Sequence, residues 1–313
     1  MITGRTALRV GQRLLGLVVV FLGVTFVIYL MVFSLPGDPI RALGGDRPLT
    51  ETVIANLRAE YHLDEPVGEQ YLRFLGGLLH GDLGTSFTGR SVTEQLRERW
   101  PVTIVLALTA WVFEIVLGVG LGILAALRRG TVIDKGVLAA TIVLSAIPVF
   151  VLGSVAQLVF GVRLGWFPVA GSREGWPISF ILPGLVIAVF GLASVSRLTR
   201  GSMLEGLGAD YVRTARSLGV PPRRVVGVHV LRNSLIPTVT YLGTDLGYLL
   251  GGTVIVEGIF NLPGVGNLLV TSIRAHEGPT VVGISTALIV IFLLTSLLVD
   301  LAHGLLDPRI RRG

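Results

Sequence analysis

Six stretches of the chain are almost uninterruptedly apolar: Leu14–Leu35, Val102–Leu127, Val137–Val162, Ile178–Ser196, Leu235–Val256 and Thr280–Ala302. Charged and polar residues collect between them. A stretch of 22 residues such as the first rises about 33 Å as an α-helix, enough to cross a hydrocarbon core of about 30 Å. Lipid offers no partner to an open backbone N–H or C=O, so spanning segments of this length are helices. The pattern therefore predicts an all-α polytopic membrane protein with six transmembrane helices. Val102–Leu127 and Val137–Val162 exceed the minimum and are expected to tilt or protrude. Pro148 and Pro183 fall inside the third and fourth stretches and predict kinks there. The first stretch is too long for a signal-peptide core and has no A-x-A site before Leu35-Pro36-Gly37-Asp38; it is expected to be retained.

The polar segments carry their own periodicity. Thr50–His62 reads as an amphipathic helix, with Val53, Leu57 and Tyr61 at i, i+4 and i+8 and Thr50 as N-cap. Pro66–Leu79 reads as a second, with Tyr71, Leu75 and Leu78 on one side and Gly81 ending it. This partly helical first loop either covers the outer ends of the spans or docks an extracytoplasmic partner, and the two roles are compatible. The chain divides into residues 1–101, a first span with its outer loop, and residues 102–313, a five-helix core.

Charge sets the orientation. Segments 1–13, 128–136, 197–234 and the tail hold 16 of the 26 Lys and Arg residues, whereas the two short alternate loops hold three. The long loop 36–101 translocates regardless of its charge, so positive-inside counting places both termini in the cytoplasm. The net charge of +6 is thus a topology signal and no argument for nucleic-acid binding. The mean hydropathy of +0.76 agrees. Cysteine is absent, which excludes disulfides, thiolate metal sites and cysteine catalysis. The lone lysine, Lys135, lies between Asp134 and Gly136, so the chain has no phosphate loop of the G-x-x-x-x-G-K-[ST] type. H-E-x-x-H and G-x-S-x-G motifs are missing, and the five histidines are dispersed. No catalytic, cofactor or metal site is expected in this chain.

The most informative segment is Ala209–Thr238, an arginine-rich stretch between two spans. On a helical wheel Tyr211, Val212, Ala215 and Leu218 share a face, while Arg213, Arg216 and Ser217 oppose it. Asp210 sits in the first turn, where the helix dipole favours an anion. Gly219 is placed to stop the helix, and Pro221-Pro222 prevents its continuation. The segment predicts one short, sharply bounded helix outside the membrane, with Tyr211, Ala215 and Leu218 as its buried face. A turn-rich stretch, Arg223–Asn233, then leads into the fifth span. A basic helix lying on anionic headgroups is the plain alternative, but such a helix rarely needs both a glycine stop and a double proline.

These residues resemble the EAA loop of binding-protein-dependent ABC importer permeases, closest to the B-type (DppB/OppB-like) subunits of bacterial dipeptide and oligopeptide importers, a branch that includes nickel importers. Arg213-Thr214-Ala215 take the E-A-A positions, Gly219 the glycine, and Leu231-Arg232-Asn233-Ser234-Leu235-Ile236-Pro237 matches the L-R-N-A-L-I-P of that branch. Further matches run along the chain: Leu35–Pro39, Leu63–Pro66, Gly81–Ser86, Leu249–Gly252, Pro263–Gly266 and Leu306–Arg311. The resemblance implies a type I ABC importer permease fold in a bacterial inner membrane. It implies that Asp210, Tyr211, Arg213, Thr214, Ala215, Arg216, Leu218 and Gly219 form a coupling helix seated in a cytoplasmic ATPase subunit. It also implies a homologous second permease, two ATPase subunits that hold ATP and magnesium, an extracytoplasmic binding protein and a peptide cargo.

The fifth span carries Gly243, Gly247 and Gly251, a G-x-x-x-G-x-x-x-G ridge suited to helix packing. Tyr241, Asp245, Tyr248 and Gly252 fall on another side. Intramembrane ionisable residues face a cavity or a partner, so Asp245 either lines the solute path, favouring the cationic end of a peptide-like solute, or hydrogen-bonds a neighbouring helix. Glu114, central in the second span, has the same two readings. An ion-coupled secondary transporter would carry its own ion site and often paired repeats; no repeat is evident here.

Overall fold

The computed structural model describes residues 4–33, 40 and 50–306, with side-chain surroundings for those from 11 on except 14, 252 and 299–306. The Leu35–Pro39 motif and the tail from Asp307 lie outside the described residues. Every regular element among them is helical, and one isolated bridge, Thr85 to Ser91, is the sole β pairing.

Four helices are long and apolar enough to cross a membrane: Gly11–Phe33, Val92–Leu127, Ile178–Gly208 and Gly278–Leu298. The third expected span is a pair, Val132–Ala146 and Val149–Arg163, bent by 102°. Its break sits where Pro148 was expected to kink the helix, because Ile147 before it is extended (φ −80°, ψ 126°), as the residue ahead of a proline prefers. Pro183 does not break its helix, which runs through it from Ile178 to Gly208. A proline in the second turn displaces only the earliest backbone bonds. The fifth expected span is the shortest: Ile236–Gly252 has 17 residues, about 26 Å at 1.5 Å each, and a separate helix Val254–Ile259 follows.

The chain forms two compact units. One comprises Met1–Pro101 and Gly264–Leu294. Here the outer loop holds the two expected helices, at Glu51–Glu60 and Val67–Leu78. The buried stripe of the first is shifted from expectation: Ile54 is buried and Val53 is exposed, with Leu57 and Tyr61 packing beside Ile54. Thr50 flanks the helix without a side-chain cap bond. The second helix packs Tyr71, Phe74 and Leu75 against Tyr29, Phe33 and Val282. Polar atoms there are satisfied: Tyr71 Oη lies 2.8 Å from Thr25 Oγ1 and donates to Leu22 O at 3.0 Å. The Gly81–Ser86 motif is a tight turn in which Gly84 takes φ +93° and donates its N–H to Asp82 Oδ1 at 2.8 Å. Two long-range bonds fasten it. Tyr61 Oη donates to Ser86 O at 2.6 Å, and Phe87 N–H donates to the buried Glu277 carboxylate at 2.9 Å. Burial, with Glu60 and Glu277 nearby, raises the Tyr61 phenol above its usual range.

The other unit comprises Val102–Pro263 and Thr295–Gly313. Its centre is the helix Ile178–Gly208, buried along most of its length. The second span fits against it through glycines: a Cβ at Gly118 would stand 2.7 Å from Val195 Cγ1, and one at Gly122 would stand 2.7 Å from Ser196 O. Absent a hydrophobic force between helices in lipid, such close backbone approach supplies the packing. Polar cross-links complete the unit. Trp111 Nε1 donates to Leu242 O at 3.0 Å, Thr103 Oγ1 donates to the buried Glu257 at 2.8 Å, and Thr199 meets Thr238 at 3.1 Å. Arg200 grips Asp134 through two bonds of 2.6 and 2.8 Å, and Asp134 also accepts from Gly130 N at 2.9 Å. That clamp fixes the 128–131 turn to the long central helix.

Candidate functional site

The helix expected between Gly208 and Pro221 is present at Asp210–Ser217. Ala209 is extended before it (φ −71°, ψ 152°). Its end is the glycine stop read from sequence: Gly219 takes φ +74°, Val220 N–H bonds Ala215 O at 3.1 Å and Gly219 N–H bonds Arg216 O at 3.0 Å. This is a Schellman arrangement, which spends the last carbonyls of the helix inside the turn. Thr214 and Ser217 return their hydroxyls to the carbonyls of Asp210 and Arg213, both at 3.1 Å.

The face it buries differs from expectation. Val212 is buried and Ala215 half-buried against Ala126, Met203, Val225 and Val230. Leu218 points outward instead and is 78% exposed, while Tyr211 is 41% exposed with its hydroxyl close to Gly206. An eight-residue helix has two turns, so only one narrow stripe can meet the body; the β-branched Val212 takes it. Arg213 and Asp210 form a loose, fully solvated pair at 3.6 Å. The expected turn-rich stretch is helical: residues 222–234 run as a short helical turn, a π-helical turn Val225–Val230 and a further turn Leu231–Ser234. Ser234 Oγ donates to Ser202 O at 3.0 Å, tying this stretch to the central helix. The result is a ledge with an exposed apolar side chain, Leu218, and exposed cationic Arg213 and Arg216.

A second constellation lies within the spans. Glu114 begins a π-helical turn, Glu114–Val119, in the second span; such widened turns recur at functional positions. Its side chain is wholly buried, both carboxyl oxygens lack a hydrogen-bond partner, and Asp245 Oδ2 is likewise buried and unpartnered. Both acids line a cavity of about 270 Å³ with Tyr248, Phe190, Gly191 and Ile187. A Cβ at Gly191 would overlap the Glu114 carboxyl, so this glycine makes the room for it. Tyr241 is half-buried and Tyr248 is 59% exposed; the surroundings of Gly252 lie outside the described residues. Of the glycine ridge only Gly247 is tightly packed, with a Cβ placed 3.0 Å from Thr295 Cγ2. Gly251 faces open space and Gly243 is half-buried. The tight G-x-x-x-G contact belongs to Gly118 and Gly122 of the second span, which the sequence reading passed over. A larger hollow of about 530 Å³ along Val105, Val112, Trp176 and Ile181 is almost wholly apolar and has nothing to orient a polar solute. Among the described residues no group of three His, Cys, Asp or Glu side chains is placed to hold a metal.

Residues 118–312 match the family described as binding-protein-dependent transport system inner membrane component, and residues 8–107 match its N-terminal membrane component. A Brucella abortus protein carrying the name of a peptide transport system permease is 39% identical over 307 residues, covering 96% of this chain and 98% of its own. The di/tripeptide transport system permease protein DppB of Pseudomonas aeruginosa is 36% identical, with 96% and 98% covered. The dipeptide transport system permease protein DppB of Escherichia coli is 34% identical, with 96% and 97% covered. A solved amino acid ABC transporter shares the fold at a TM-score of 0.50 and 18% identity, over 68% of this chain and 94% of that one. With nearly its whole length matched, the chain belongs to the inner membrane components of binding-protein-dependent transport systems, the permeases of ABC importers.

Proposed function

We propose that this chain forms half of the translocation pore of an ATP-driven importer of di- and oligopeptides and works by alternating access. Names of near full-length relatives support the cargo class. The observation that carries the motor connection is the outward helix Asp210–Ser217 with its glycine stop and exposed Leu218. A stiff, capped helix transmits a displacement that a flexible loop would absorb. In this reading Leu218 and Tyr211 enter an apolar groove of a cytoplasmic ATPase subunit while Arg213 and Arg216 meet acidic groups at its rim. Val212 and Ala215 anchor the helix to the permease body, so closure of the ATPase pair pulls on the spans. ATP and magnesium belong to those partners, of which there are two. A homologous permease supplies the other half of the pore, and a binding protein delivers cargo to the outer face. Both termini are cytoplasmic, by the arginine distribution. The path includes Asp245, Tyr248 and Tyr241.

The test is ATPase activity of the purified complex in nanodiscs, stimulated by binding protein loaded with dipeptides, longer peptides or nickel chelates. Leu218→Asp is expected to leave this chain folded, since the side chain is solvent-facing, and to abolish stimulation. Stimulation at the wild-type level by Leu218→Asp would refute the coupling role, and stimulation by nickel chelate alone would change the cargo.

A further inference from the structure

Glu114 and Asp245 raise a question the pore reading leaves open. A buried carboxylate with two unpartnered oxygens is costly inside a membrane protein, and here a second acid with an unpartnered oxygen borders the same cavity. Neither faces an arginine or lysine within the cavity lining. Gly191 leaves the space that the Glu114 carboxyl occupies. We propose that Glu114 and Asp245 together form a binding site for a primary ammonium group, the amino terminus of the passing cargo; this rests on the reading of the chain as a peptide importer permease.

The chemistry of the lining selects among cations. A hard divalent ion requires about six oxygen ligands, and the cavity offers two carboxyl groups and one tyrosine among otherwise apolar walls. An ammonium carries three N–H donors, which the three unpartnered carboxyl oxygens of Glu114 and Asp245 can accept. Phe190 and Tyr248 also border the space, and aromatic faces attract organic cations. A volume of about 270 Å³ suits one end of a peptide and leaves the remainder in the path. Because the acids come from two different spans, a shift of one span against the other separates them and releases the ammonium. A site of this design holds the cargo in one state and lets it go in the next.

The experiment is saturation-transfer NMR on the four-chain membrane complex in nanodiscs, without binding protein, using dialanine and N-acetyl-dialanine as probes. Dialanine is expected to bind saturably and N-acetyl-dialanine not to. Glu114→Gln and Asp245→Asn are each expected to weaken dialanine by about tenfold or more, the loss of one charge-assisted bond. Equal binding of the two probes, wild-type affinity in both variants, or displacement of dialanine by millimolar magnesium would each overturn the site. Should Glu114→Gln fail to assemble, Asp245→Asn alone decides it. Uptake into proteoliposomes with binding protein separates the two levels. Wild-type complex that binds dialanine but imports no peptide defeats the cargo reading and leaves the site standing. Wild-type import with unchanged KM and rate in both variants defeats the site and leaves the cargo reading standing.

Discussion

Tyr61 shows how a single side chain can help to fasten a loop. Its ring packs edge-on against Phe87, with centroids 4.8 Å apart, and its hydroxyl donates to Ser86 O at 2.6 Å. Tyr61→Phe is expected to keep the ring contact and cost about 0.5–1.5 kcal/mol, the net worth of one hydrogen bond, read as a lower melting temperature of the solubilised protein. The phenol is also held neutral by burial and by Glu60 and Glu277. Its folded pKa is therefore above the unfolded value near 10, and its contribution is present below that pH and lost as pH climbs through the folded value. Wild type should lose stability above about pH 10, and Tyr61→Phe should lose less. Sequence periodicity placed Tyr61 on the inner face of its helix but could not supply Phe87, Ser86 or Glu277, which are 25 to over 200 positions away. Glu114 is the same case within a span: an acid stands out in an apolar run, but only the packed helices show that Gly191 makes its room and Asp245 shares its cavity.

At the scale of elements, the second and fourth spans are joined by contact between small residues. Gly122→Ala places a methyl against the Ser196 carbonyl and the Thr199 side chain, both 2.7 Å away. The backbone oxygen cannot turn aside, so the helices must separate, at a cost of about 1–3 kcal/mol. Gly120→Ala, with nothing within 4 Å, is the internal control and is expected to be neutral or slightly stabilising. Equal melting temperatures for the two variants would contradict the tight contact. The spacing Gly243–Gly247–Gly251 marks a ridge in the fifth span, yet Gly251 faces open space. A spacing motif states which residues share a helix face and says nothing of whether another helix is there. The short helix at Asp210–Ser217 was legible because its limits are local: an aspartate at the start, a glycine and two prolines at the end. Its orientation was not local, and Leu218 is outward where amphipathic reasoning put it inward. Apolar side chains on a helix mark a surface that needs covering, and a partner chain covers it as well as the body does.

For the whole molecule, orientation is open to direct test because the chain has no cysteine. Leu79→Cys and Leu218→Cys place thiols at side chains 88% and 78% exposed. In sealed inverted and right-side-out vesicles they are expected to react with an impermeant maleimide from opposite sides, Leu79→Cys from the outside and Leu218→Cys from the cytoplasm. Labelling of both from one side would remove a span between them and break the six-span count. The apolar runs, the arginine distribution and the punctuation by glycine and proline determined the helical class, the expected spans and the position of the helix Asp210–Ser217, since each depends on composition or on neighbours within a few residues. The 102° break at Pro148 and the shortness of Ile236–Gly252 are matters of degree that a hydropathy pattern does not carry. Tertiary structure alone decided which glycines are contacts, which face of the helix Asp210–Ser217 is exposed, and that two acids 131 positions apart border one cavity. Those depend on which surfaces meet, and surfaces meet only once the chain has folded.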